Sequence, residues 1–234
     1  MVKNIRQESS ARRKSPRGER KKLEILDAAE KLFAERGMAG ASLRDIASLA
    51  GADLGSITYH FTSKENLFNQ VLARRAESGA ARIRLSFENA IRKQGHISLE
   101  LILSNYARSS LWLFGEGREQ WIHYSRMVLQ PFPEQNPGTL NAAISEHYGP
   151  VRNYIIDCLC TVMPGVPRED VAWCFGQFEG ALTPLFKVAY SPTDDTRLQR
   201  EIRLFERNLV PFYLAGFKQL AACATQSDLS ADSG

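Results

Sequence analysis

The chain has 234 residues, 44% of them hydrophobic and 24% charged, which is enough for one sizeable core or two modest ones. Its apolar runs fall well short of the roughly 18 residues that span a bilayer, and the basic N-terminus lacks the apolar stretch of about 7–15 residues in a secretory signal, so a cytoplasmic protein with no membrane partner is expected. Cys158, Cys160, Cys174 and Cys223 form neither a disulfide framework nor the paired Cys-x-x-Cys spacing of a zinc site; they read as reduced thiols, and no metal or cofactor is implied.

The net charge of +4 conceals an asymmetry, because residues 1–22 carry +7 and the remainder −3. A short basic arm on a mildly acidic body suits a polyanion. With only Val2 and Ile5 as sizeable apolar groups, the arm lacks the amphipathic face that a membrane surface requires, and nucleic acid is the better match. Arg17, Arg20, Lys21 and Lys22 are assigned to phosphates or a minor groove on charge alone, with a solvated tail as the bland alternative.

Helical periodicity then begins and hardly stops. Ile25, Ala29, Leu32 and Phe33 form an amphipathic stripe that Gly37 closes. Ser42, three residues before Asp45, caps a second short helix carrying Leu43, Ile46, Ala47 and Ala50 up to Gly51. Asp53 caps a third, in which Ile57 and Phe61 point inward and Ser56, Tyr59 and His60 stay largely outside. A long fourth helix starts near Thr62 or Ser63, where Thr62 and Glu65 form a capping pattern, runs to Gly95 and connects two parts of the molecule. Further helices are expected near 98–114, 118–130, 139–162, 168–188 and 195–220, with no alternating strand pattern. The fold class is all-α. The expected organisation is a basic flexible arm over 1–19, a helix-turn-helix domain over 20–66, a larger helical domain over 67–222 and a flexible tail over 223–234.

The succession of short helix, Gly51-Ala52-Asp53 turn and short helix is the layout of a helix-turn-helix, whose second helix enters the major groove and presents small or polar residues to base edges. The run from Ser42 to Leu67, with Ile25 to Gly37 before it, resembles the DNA-binding signature of the TetR (tetracycline repressor) family over about residues 20–72. The resemblance implies a homodimeric transcriptional regulator, usually a repressor, that binds double-stranded operator DNA and dimerises through a divergent helical C-terminal domain, which also takes a small molecule. Carried over position by position, Ser42 and Arg44 match residues at the start of the second helix, with Arg44 reaching bases or phosphates. Leu54, Gly55 and Ser56 open the recognition helix, and Thr58, Tyr59, His60 and Lys64 match positions used for bases or backbone. Thr58 departs from the aromatic residue more common at its position.

For the effector, aromatic side chains of the C-terminal half are numerous enough to line an apolar pocket between helices. Trp112, Trp121, Tyr124, Trp173 and Phe178 are the aromatic candidates, and His123, Arg126, Gln177 and Glu179 the polar ones, with Arg126 able to pair an anion. Plain core or surface roles remain open for each. Glu146–Val151 and Val210–Gly216 look similar to segments of TetR regulators that respond to fatty acids or acyl-coenzyme A, which implies an elongated hydrophobic effector with an anionic head. No phosphate loop, HExxH pattern, nucleophile elbow or Cys/His constellation points to an enzyme. The alternatives are a sequence-independent DNA-binding protein and a helical small-molecule-binding protein or enzyme.

Overall fold

The computed structural model describes residues 15–112, 117–129, 137–185 and 195–231, so most of the expected basic arm lies outside the described residues. They are helical, and no strand occurs among them. α1 (Pro16–Gly40) begins inside the stretch read as a flexible arm, because the Ser15 hydroxyl accepts the Gly18 N–H at 3.1 Å and Pro16 needs no helical partner in the first turn. Arg17, Arg20, Lys21 and Lys22 are therefore helical residues. At its other end α1 is kinked by Gly37, with φ 72° and ψ 174°, a region that essentially only glycine occupies. Gly37→Ala is expected to cost about 1–3 kcal/mol, seen as a lowered urea midpoint with unchanged m-value.

α2 (Leu43–Leu49) and α3 (Leu54–His60) start where Ser42 and Asp53 accept the N–H groups of Asp45 and Ser56. α4 (Lys64–Gln94) is capped by Ser63, not Thr62: the Ser63 hydroxyl takes the Asn66 N–H at 3.0 Å. Ser63 thus serves the N–H three residues on, that of Asn66, whereas a Thr62 cap would have served that of Glu65. α5 (Leu99–Leu111), α6 (Arg118–Leu129) and α7 (Pro137–Val162) follow. α8 (Arg168–Ala181) is interrupted at Leu182 and helix resumes over 183–185, while 186–188 of the expected span lie outside the described residues. Pro184 has no N–H to continue the α8 ladder and its ring would meet the carbonyl of Gly180. α9 (Asp195–Leu204) passes through a π-helical turn at Phe205–Leu209 into α10 (Val210–Ala231). That turn ends two residues before Pro211 and closes through Val210 N–H to the Phe205 carbonyl, and the wider turn relieves the collision between Pro211 and the preceding turn. The tail expected to be flexible from 223 is helical to Ala231, in a stretch without glycine or proline.

Two apolar cores result. In the first, Ile25 and Phe33 of α1, Ile46 of α2, Ile57 of α3 and Leu67, Phe68 and Val71 of α4 are buried together, with the Phe33 and Phe68 rings edge-on at 5.2 Å. Trp121, Tyr124 and Met127 of α6 belong to this same core, so a helix of the larger domain packs on α1. In the second, Ile83 and Phe87 of α4 meet Ile102, Ile155, Phe175 and Phe178 from α5, α7 and α8. The long α4 thus contributes to both cores, and at their junction Gly79 leaves the space that the Tyr148 hydroxyl fills.

Candidate nucleic-acid interface and effector cavity

The helix-turn-helix owes its outer face to its inner one. Ile57 is 1% exposed and Phe61 2%, and this pair fixes the rotation of α3 so that Leu54, Gly55, Thr58 and Tyr59 face solvent. Tyr59 is 76% exposed, an unusual position for a ring unless something covers it. Its ring meets His60 edge-on at 5.0 Å, and His60 leans in turn on Phe61 at 6.1 Å. Thr58 returns its hydroxyl to the Leu54 and Gly55 carbonyls at 3.2 and 3.1 Å, so its one proton serves its own helix while its acceptor lone pairs stay available. Ser42 is occupied as the cap of α2, Ser56 is half-buried, and Arg44 stands exposed on α2 beside this surface. Asp53 is held below the ordinary carboxylate range chiefly by the Ser56 backbone N–H, which keeps it charged as a cap.

The cations divide into two kinds. Lys21 gives its ammonium to Glu24 and to the carbonyls of Ala50 and Gly51, at 3.5 and 3.1 Å, and so ties α1 to the turn between α2 and α3. Lys64 reaches back to the Ala39 and Ala41 carbonyls at 3.4 and 3.3 Å and secures the start of α4 against the end of α1. Both position the reading head before any phosphate arrives. Arg20 is exposed, with a surface pair to Glu24 at 3.5 Å, and Lys22 lies 5.9 Å from the Phe61 ring centroid. Surface pairs of this kind contribute little and are readily exchanged for a phosphate.

A cavity of about 550 Å³ opens between α4, α5, α6, α7 and α8, within the range of small-molecule sites. Of the residues chosen from sequence, Tyr124 and Glu179 line it. Tyr106 donates to Glu179 at 2.9 Å, Arg152 Nε donates to the other carboxylate oxygen at 2.7 Å, and Arg152 also donates to the Ala172 carbonyl at 3.1 Å. Tyr124 and Tyr148 share a hydrogen bond on the wall facing α4. Burial pushes all three phenols up, Tyr106 with added repulsion from Glu179 and Tyr148 to about 12, so they stay neutral in the working pH range.

The other sequence choices do not line this cavity. Trp173 is 67% exposed on the outer side of α8, and Gln177 is exposed with its backbone carbonyl taking the Tyr213 hydroxyl at 3.1 Å. Gln177 lies about 200° around the helix from Glu179, so the two cannot share a wall. Phe178 is fully buried in the second core, against Tyr213 at 5.1 Å. Trp112 lies beneath the Arg82 guanidinium at 3.3 Å, outside the cavity. Trp121 is 2% exposed and packs between Tyr124 and Arg75, at 5.7 Å from each. His123 and Arg126 are half-buried on α6, and burial lowers the His123 pKa and favours its neutral ring. Tyr106 and Arg152 are the residues that sequence reasoning missed. The spacing of Tyr148 and Arg152, four apart on one face of α7, was the available signal.

Described residues that are helical and strand-free, with a solvent-facing recognition helix on a helix-turn-helix and a half-open cavity among the helices of the second half, have the architecture of a helix-turn-helix DNA-binding protein. Residues 25–71 match the model for bacterial regulatory proteins of the tetR family, and residues 105–216 that for the tetracyclin repressor-like C-terminal domain. The chain belongs to the TetR family. It is 46% identical over 52 residues to the HTH-type transcriptional repressor KstR2 of Rhodococcus jostii (strain RHA1), a match covering 22% of this chain and 26% of that protein. The chain spans about a quarter of the length of the first such relatives. The fatty acid degradation regulator FadR from Bacillus halodurans has a similar fold, with a TM-score of 0.63 and 18% identity over 87% of this chain and 97% of that one. FadR from Bacillus subtilis, solved in complex with stearoyl-CoA, gives 0.54 and 16% over 83% and 98%.

Proposed function

We propose that the protein is a transcriptional repressor that binds a palindromic operator as a homodimer and is released by a small hydrophobic effector entering the α4–α8 cavity. The observation that carries this is the joint placement of α6. Its Tyr124 lines the cavity, while the neighbouring Trp121 packs in the core of the helix-turn-helix domain. Occupancy that moves Tyr124 therefore displaces Trp121, Arg75 and, through Glu30, the α1 on which the reading head is built. A ligand that prefers the displaced arrangement lowers operator affinity by its differential affinity, typically about 1–3 kcal/mol. Residues 20–66 then serve as the DNA-binding domain and 67–222 as the ligand-binding and dimerisation domain, acting in the cytoplasm. No helix among the described residues is long and apolar enough to cross a membrane.

Dimerisation gains support from Trp173 and Phe212, 67% and 69% exposed on the adjacent helices α8 and α10. Two such exposed rings are worth covering, and a two-fold dimer that reads a palindrome presents its recognition helices about 34–36 Å apart. Replacing both Trp173 and Phe212 with alanine is expected to raise the dimer dissociation constant by about tenfold or more, measured by sedimentation velocity across a concentration series.

The fatty acid or acyl-coenzyme A effector expected from sequence draws support from the two FadR folds, but at their level of identity that likeness is one of fold. The test of the whole reading is selection of operator DNA from a random library, followed by titration with and without hydrophobic ligands. A palindromic site released by a ligand supports it. Binding that ignores single-base changes would show a sequence-independent DNA-binding protein instead, because specific readers lose about 1–3 kcal/mol per wrong pair.

A further inference from the structure

Charge and hydrogen bonding inside the α4–α8 cavity specify the head group of its ligand. Among the described residues lining it, Arg152 and Glu179 are the charged ones, and they are paired with each other at 2.7 Å. The remaining polar lining consists of phenol and serine hydroxyls and the Asn153 amide. From this we infer that the cavity takes an uncharged, mainly apolar alcohol or phenol, whose hydroxyl inserts beside the Arg152–Glu179 pair. The inference rests on the effector reading of this cavity, and it replaces the anionic head expected from the sequence with an uncharged one.

An anionic head would lie against the Glu179 carboxylate, and sharing the Arg152 guanidinium with it would leave two negative charges on one cation. One uncompensated charge beside this pair, whose side chains are 36% and 25% exposed, is less well solvated than in bulk water, and that difference is what disfavours it. A cationic head meets the mirror problem, since Arg152 already neutralises the carboxylate. A hydroxyl changes no charge. It donates to a second lone pair of Glu179, whose two oxygens each have one acceptor site in use, and accepts from an Arg152 proton not spent on Glu179 or the Ala172 carbonyl. The rest of the ligand lies along Ile83, Val128 and Val151. The phenols cannot offset a ligand charge by ionising, because burial holds Tyr106, Tyr124 and Tyr148 in their neutral forms.

The test is a matched series, 1-decanol, decanoate and decylamine, titrated at neutral pH into the full-length protein by calorimetry, with operator release followed in parallel. 1-Decanol is expected to bind about tenfold or more tightly than either charged homologue. In Glu179→Gln, which keeps shape and one acceptor but frees the Arg152 charge, decanoate is expected to gain about tenfold while 1-decanol changes little. Equal or tighter binding of decanoate or decylamine to the unaltered protein overturns the inference, as does binding of none of the three. So does an E179Q variant that leaves the preference unmoved. A thermal melt establishes that this variant is folded, and if it is not, the comparison on the unaltered protein decides alone. Tight binding of 1-decanol without operator release sinks the effector reading and leaves the head-group assignment standing. Release by decanoate with equal or tighter affinity does the reverse.

Discussion

Glu30→Ala is expected to destabilise the fold by about 3–5 kcal/mol, the range for removing one partner of a buried ion pair. Glu30 is 2% exposed on α1 and takes Arg75 Nε on both oxygens, at 2.8 and 3.0 Å, and Arg74 Nη2 at 2.9 Å. Without it, two guanidiniums that are largely shielded by packing lose their counter-charge together. They do not lose equally. Arg74 keeps Asp27 at 2.8 Å, near solvent, whereas Arg75 retains only the Trp121 ring. The lower end of the range is therefore expected for Glu30→Ala, with most of the loss carried by Arg75. The check is a set of urea titrations on Glu30→Ala, Glu30→Gln and the double variant Glu30→Ala with Arg75→Met. Glu30→Gln keeps an acceptor in place and should lose less than alanine. The double variant should recover much of the loss, because an apolar replacement of both partners leaves no buried charge behind. A Glu30→Ala cost below about 1 kcal/mol would mean that water reaches the cluster and that it behaves as a surface pair.

This cluster also illustrates what a linear reading can and cannot reach. Features decided within a few residues were legible. Ser42 and Asp53 cap the helices expected of them, Gly95 ends α4 in positive φ, Gly37, expected to close α1, kinks it three residues before its end at Gly40, and Ile57 and Phe61 turn inward as their spacing demands. Neighbouring hydroxyls leave a one-residue ambiguity at the start of α4, where Thr62 and Ser63 both offer a cap and Ser63 takes it. The interruption of α8 at Leu182 is local too, and Pro184 is its mark in the sequence. The partners of Glu30 are 44 and 45 residues away, and those of Glu179 are 27 and 73 away. No periodicity within one helix reports which residues of another helix it will face. Glu179 stands out as a polar group among aromatics and Arg152 by its spacing from Tyr148, but nothing local pairs either with the other or with Tyr106. The effector candidates that lie outside the cavity follow the same logic: Trp173 and Phe178 sit on the helix that carries Glu179, on faces that only packing distinguishes.

Arg44→Ala is expected to weaken operator binding by about 1–3 kcal/mol and to relax sequence preference, the combination that marks a base contact. Arg44 is exposed on α2 and forms no ion pair with another described residue, unlike Arg36 of α1, which pairs with Asp45 of α2 at 3.3 Å. Its guanidinium is thus available for bidentate reading of a guanine edge at little cost in lost internal contacts. Tyr59→Phe provides the contrast. The ring is already held against His60, so removing the hydroxyl leaves the shape of α3 intact and deletes one donor. A hydroxyl that contacts a phosphate positions the duplex without reading it, so Tyr59→Phe should weaken binding to matched and mismatched sites alike. The two variants are compared by titrating the selected operator and a set of single-base changes at several salt concentrations. For Arg44→Ala the penalty for a wrong base should shrink at one position, with losses at other positions unchanged. For Tyr59→Phe the penalties should stay constant while overall affinity falls, and the salt slope should hold because no charge is removed. A uniform loss for Arg44→Ala with a slope shallower by about 0.9 would reassign that side chain to a phosphate. The reading of bases would then fall to the outward residues of α3 alone, where Leu54, Gly55 and Thr58 offer chiefly apolar contact and an acceptor, a chemistry better matched to thymine methyls and to amino groups than to guanine.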